Sequence, residues 1–196
     1  MKNVLLILLT ALVFTGCKQS DKEKSSGKKD KETVSAENTI TKDGIGNLKI
    51  GMTKTDLEKM LKTTLSMKHA KDTGEIWMDT ATVQYAGMEV ELYFQKLYSE
   101  EPSTEMELFG LSTKSPLCKT ATGIGVGDDR NAVLAAYEEN PITMGPESVM
   151  VNDTTWALSK TNYAIHVSDD KWDKQISFYL INKKIASMEA GMQMGE

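Results

Sequence analysis

Cysteine and histidine are nearly missing from this chain, with two of each among 196 residues. Two cysteines, Cys17 and Cys118, cannot form a disulfide framework, so any fold must rest on its hydrophobic core. His69 and His166 stand far apart, and neither has a second ligand at zinc spacing. No CxxC or HExxH occurs, so no metal and no cofactor is expected. Excess positive charge is also lacking: the formal net charge is −5, which argues against a nucleic-acid binder. The GIGVG stretch at 123–127 lacks the Lys-Ser/Thr of a phosphate loop and does not meet GxGxxG, and no GxSxG elbow supports a serine hydrolase. The longest apolar run, Val4 to Phe14, is about 11 residues, too short to span a bilayer as a mature helix.

That run follows Lys2 and precedes Thr15-Gly16-Cys17, the layout of a signal peptide over residues 1–16. The Phe-Thr-Gly-Cys end resembles a bacterial lipoprotein lipobox, although Phe14 departs from the more usual Leu. The resemblance implies that Cys17 is acylated and becomes the new N-terminus. Lipid would add roughly 0.8 kcal/mol of membrane affinity per buried CH₂. Residues 17–40 then read as the acylated cysteine and a disordered tether. KQSDKEKSSGKKDKETVSAENT has no aromatic residue and too little apolar surface to offset its ordering entropy. Roughly 155 residues remain, enough for one well-cored domain. With Cys17 lipidated, Cys118 is left without a partner and reads as a small buried side chain.

Two stretches of that remainder match without a gap, LKIGMTKTDLEKML and IGVGDDRNAVLAAY. Asn47 falls on Gly123, Leu48 on Ile124, Ile50 on Val126, Gly51 on Gly127 and Thr53 on Asp129. Asn47 and Gly123 are residue types that tolerate positive φ, so a turn is expected there. Thr53 and Asp129 are good N-caps. Leu57, Met60 and Leu61 share one helical face, as do Val133, Ala136 and Tyr137. Pro141 should stop the second helix by about Asn140.

After each helix the apolar period changes to two. Met88, Val90, Leu92 and Phe94 alternate with Glu89, Glu91 and Tyr93. Tyr163, Ile165 and Val167 alternate with Ala164 and His166. Shorter strands are expected at Thr82 to Tyr85 and Thr155 to Leu158, with turns at Ala86-Gly87 and Thr161-Asn162. Further strands are expected at Glu105 to Leu111, Gln175 to Ile181 and Lys184 to Met188, the last two joined by Asn182-Lys183. The fold class read from this is α+β: two tandem helix-plus-antiparallel-meander repeats, 41–114 and 115–196, packed as one domain. Sheets apolar on one face and polar on the other suit this arrangement.

The Gly-Met-Thr-x-x-x-Leu arrangement at Gly51 to Leu57, with its echo at Gly127, resembles the repeat of β-lactamase-inhibitor-protein-like proteins. The small lipoprotein of the outer-membrane β-barrel assembly machine shares that general unit. SPLCKTATGIGVGDDRNAVLAAY is also similar to a segment common in uncharacterised bacterial envelope lipoproteins. Asp128 stands where the first stretch has Met52. The resemblance implies protein binding through exposed sheet and loop surfaces without a cofactor, and it assigns no contact residue here.

The expected function is a lipid-anchored, non-enzymatic protein-binding module of the bacterial cell envelope, at the outer membrane, whose partner is another envelope protein or a glycan. Candidate contacts are Glu89, Glu91, Tyr93, Trp156, His166 and Trp172, aromatics ringed by polar residues. His166 also reads as an ordinary surface residue, and the acidic Ser168–Asp173 stretch as a solvated hairpin turn. Two alternatives stay open: an envelope hydrolase, which needs His166 or His69 beside a serine or carboxylate, and a structural outer-membrane assembly factor.

Overall fold

A capped helix start, a strand and a tight turn each carry their own local signal in the chain. The computed structural model describes residues 34–69, 78–95, 105–152, 155–169 and 173–192. All of these belong to one unit running from Thr33 to Glu196. Among the described residues there are two α-helices and many strands in two sheets, a mixed α and β class. No described helix is long and apolar enough to cross a membrane.

A short 3-10 turn, Ala36–Asn38, leads into β1 (Thr39–Thr41), β2 (Gly44–Ile45) and β3 (Leu48–Lys49). The end of the segment expected to be tether is therefore part of the fold, and Ile40 is fully buried. The reason is compositional: Ile40 is the first aliphatic side chain after the lysine-rich stretch with a neighbouring strand to pair with. Earlier residues, including Cys17 and the signal segment, lie outside the described residues.

Helix α1 (Lys54–Leu61) starts where Thr53 Oγ1 accepts from the Asp56 amide at 3.2 Å, and α2 (Arg130–Ala136) where Asp129 Oδ1 accepts from the Ala132 amide at 3.0 Å. Gly51 and Gly127 precede them at φ 87° and 94°, open space lying where a Cβ would be. The positive φ before β3 sits at Gly46 (54°) rather than at the expected Asn47, while Gly123 does take it (88°). Helix α2 ends at Ala136, four residues short of the expected limit, because its chain leaves at Tyr137 with φ −128°.

The large sheet contains β4 (Lys68–His69), β5 (Met78–Tyr85), β6 (Met88–Gln95), β7 (Glu107–Thr113), β9 (Ile142–Asn152), β10 (Thr155–Ser168), β11 (Lys174–Ile181) and β12 (Lys184–Met192). Its order is β4-β5-β6-β7-β12-β11-β10-β9, antiparallel throughout. The small sheet is β3-β2-β1-β8, with β8 at Lys119–Thr120.

Both helices attach to the sheet through similar bonds. Gly51 N donates to Leu108 O at 2.7 Å, Leu108 N to Met52 O at 2.9 Å, and Lys54 N to Met106 O at 3.0 Å. In the other half Gly127 N donates to Ile185 O at 2.9 Å, Ile185 N to Asp128 O at 2.9 Å, and Arg130 N to Lys183 O at 3.1 Å. One hydrophobic cluster joins the small sheet (Ile40, Ile45, Leu48), the helices (Leu57, Val133) and the inner face of the large sheet, including Leu92, Phe94, Leu111, Ile165, Phe178 and Met188.

The expected turn at Thr161-Asn162 is absent. Thr155–Ser168 is one long strand, and the register with β9 slips between Leu158 and Tyr163. Ser159 Oγ accepts from the amides of Thr161 and Asn162, at 3.3 and 2.9 Å, so the extra residues form a bulge with satisfied backbone. The two turns that were expected on the same grounds, Ala86-Gly87 and Asn182-Lys183, do form, with φ 49° and 79° in the first and 51° and 68° in the second. Such paired positive values are what a two-residue hairpin requires.

Candidate binding face

Alternation along each strand sends the apolar side chains inward and leaves the other face polar. The registers then line up residues from different strands. Thr82, Glu91, Ser112, Glu189, Ser177, His166 and Thr143 are successive Cα partners across β5, β6, β7, β12, β11, β10 and β9. Beside this row runs a second, Thr80, Tyr93, Gly110, Gly191, Gln175 and Ser168. The face is thus built on the most regular part of the molecule.

Two clusters of hydrogen bonds fix the side chains. On one side of the β7–β12 seam, the Tyr93 hydroxyl donates to Glu91 Oε2 at 3.1 Å and stands 2.9 Å from Ser112 Oγ. A phenol has one proton, so with Glu91 accepting it, Ser112 is the donor to Tyr93. On the other side Tyr179 Oη donates to Glu189 Oε2 at 3.4 Å, and His166 Nδ1 lies 2.8 Å from Ser177 Oγ. The His166 and Tyr179 rings meet edge to face at 6.4 Å, and the Tyr93 and Phe109 rings lie tilted at 6.3 Å. Two glycines stand at the seam. A Cβ at Gly110 would stand 3.4 Å from the Tyr93 ring, and one at Gly191 3.5 Å from Glu189 Oε1.

The face is polar but not wet throughout. Ser177 is 1% exposed. Burial pushes the Glu189 carboxyl up to about 7, the Tyr179 hydroxyl opposing the shift and the Glu91 charge adding to it. Burial also raises Tyr93 to about 12, raises Tyr179, and lowers His166.

Of the sequence candidates, Glu89, Glu91, Tyr93 and His166 all lie on this face, the two glutamates exposed and the other two half-buried. His166, expected as a surface residue on the polar face of its strand, stands on that face half-buried. Trp156 is elsewhere, 61% exposed on the outer part of the β9–β10 hairpin, opposite Met150 and near Leu158, which are 56% and 66% exposed. Trp172 lies outside the described residues. Residues 170–172 of the acidic stretch also lie outside the described residues; on either side of them the Asp173 amide donates to Asp169 Oδ1 at 3.1 Å and the Asp169 amide to Lys174 O at 3.1 Å.

Ser112, Ser177, Tyr179 and Glu189 were missed. The alternation in KQISFYLI carries Ser177 and Tyr179 onto the polar face and was available to find them. Glu189 lies just past the expected end of β12 at Met188, so no pattern reached it.

The hydrolase requirement of a histidine beside a serine is met in distance by His166 and Ser177. An almost wholly buried Oγ in the middle of a strand, however, offers a substrate carbonyl no approach. Among the described residues no group of three or more His, Cys, Asp or Glu stands together to hold a metal ion. Cys118 is fully buried and its thiol is pushed up to about 12 by burial, which keeps it protonated and unreactive. No family model, no curated protein and no solved structure matches this chain.

Proposed function

We propose that this chain is a lipid-anchored bacterial envelope protein of the outer membrane that binds another protein through the polar face of its large sheet, without catalysis. The observation that carries the reading is the stretch of the row from Glu91 to His166, whose side chains are held by one another or by Tyr93 and Tyr179 before any partner arrives. Preorganised aromatic and polar groups lose little freedom on binding, and Tyr is among the residue types that dominate interfaces. Tyr93 and Tyr179 near the middle, with Glu89, Glu91 and Thr82 exposed around them, have the layout of anchors inside a polar rim.

The underlying architecture we read as two tandem helix-plus-meander repeats of the β-lactamase-inhibitor-protein-like kind. Its support is the pair of glycine-cap-helix entries and the matching bonds of Gly51 and Gly127 to β7 and β12.

Solubilised membranes of the source cell, passed over the wild-type chain and over a Tyr93→Ala/Tyr179→Ala variant, test the binding reading. A protein retained by the first and at least tenfold less by the second is the expected result. No retained protein, or one indifferent to both tyrosines, refutes it. Cys17→Ala should abolish lipid labelling and release the chain from the membrane fraction.

A further inference from the structure

A cavity of about 430 Å³ opens on the core side of the sheet, away from the polar face. Three cations line it: Arg130, the first residue of α2, Lys160 from the β10 bulge, and Lys183 from the β11–β12 turn. Tyr163 supplies apolar wall, with Leu180 fully buried behind it, and Asn182 a side-chain amide; among the described residues no carboxylate lines it. In a chain of net charge −5 that grouping runs against composition.

The walls are tied together by backbone. Asn182 N donates to Thr161 O at 3.0 Å, and Arg130 N donates to Lys183 O at 3.1 Å. None of the three cations forms an ion pair among the described residues. The Arg130 Nε is buried and has no hydrogen-bond acceptor. A buried donor without an acceptor is costly, and buried polar groups in folded proteins are nearly always satisfied. A guanidinium is matched best by the paired oxygens of a carboxylate or phosphate.

We propose that this cavity is a binding site for a small oxyanion group, phosphate or carboxylate, held by Arg130 with Lys160 and Lys183, its carrier resting on Tyr163. The volume suits a compact ligand. The group could arrive on a soluble molecule or on an anionic lipid headgroup, and the chemistry recognised is the same.

The full chain in neutral detergent is titrated at constant ionic strength with inorganic phosphate and with citrate. In a parallel arm it is mixed with phosphatidylcholine vesicles with and without phosphatidylglycerol. Saturable binding in either arm is expected, weakened at least tenfold by Arg130→Met. The same variant should melt at or above the wild-type temperature, because it removes a buried donor that lacks an acceptor. Lys183→Gly should weaken binding as well, while relieving a left-handed turn position. Saturation by soluble anions identifies a soluble ligand, and Arg130-dependent binding confined to phosphatidylglycerol vesicles identifies a headgroup. Absence of saturable binding in both arms overturns the proposal. So does an Arg130→Met variant that binds normally, or one that melts lower while binding normally, which would make Arg130 a structural residue.

Discussion

At the residue scale, Glu189 and His166 titrate in opposing senses on the same sheet face. The folded state raises Glu189 from 4.5 to about 7, so it holds that proton more tightly than the unfolded chain does. The resulting destabilisation is absent below about 4.5, grows as pH rises and is complete above about 7. His166 is lowered from 6.5, so acidification through that value favours the unfolded chain. Glu189→Gln should remove the first slope. The variant should be more stable than wild type by about 1–3 kcal/mol at pH 8 and equal to it at pH 4. Urea midpoints measured between those limits check this, and a constant difference across the range would show that Glu189 is not desolvated as described. This residue also marks where sequence reading stopped. Glu91, Tyr93 and His166 could be placed on one face because alternation within a strand is local. That Glu189 stands beside Ser112 depends on β12 pairing with β7, and nothing local to either strand encodes that pairing.

At the element scale, the two helix starts allow a matched comparison. Thr53→Ala and Asp129→Ala each remove one cap bond and should each cost about 1 kcal/mol. Thermal melts that show one large loss and one near zero would mean that the two caps play different parts. The hairpin turn between β5 and β6 gives a prediction of opposite sign. Ala86 holds φ 49°, a conformation that costs a residue with a Cβ roughly 1 kcal/mol, so Ala86→Gly should raise stability by a comparable amount. These features were legible in the sequence because caps and two-residue turns are chosen by a few adjacent residues. Strand β9 was not. No strand was expected over Ile142–Asn152, and Pro146 within it is tolerated because β9 is an edge strand, where a missing amide can face outward. Thr161-Asn162 failed in the reverse direction, since a turn signal in composition became a bulge once both flanks could pair with β9 and β11.

At the scale of the whole molecule, the question is whether the halves unfold together. Among the described residues they meet in the large sheet at β7 and β12, where four residue pairs align from Met188↔Thr113 to Gly191↔Gly110, and in the small sheet where β1 pairs with β8 at Thr39↔Lys119 and Ile40↔Thr120. Within the first half, β5 and β6 align eight. A seam this short would suggest two separable pieces if strand pairing were all that joined them. The core argues otherwise. Leu57 of α1 and Val133 of α2 belong to the same buried cluster, and each is fully enclosed. Removing side-chain volume from either should therefore destabilise all of it. Leu57→Ala should cost about 2–5 kcal/mol and Val133→Ala about 1–3 kcal/mol. Amide signals of β6 and β11, followed separately by NMR during urea unfolding, should lose intensity at one shared midpoint in the wild type and at one shared, lower midpoint in each variant. If Leu57→Ala moved only β6 and Val133→Ala only β11, the halves would be independent folding units, and the polar row from Thr82 to Thr143 would span a hinge instead of a single rigid face.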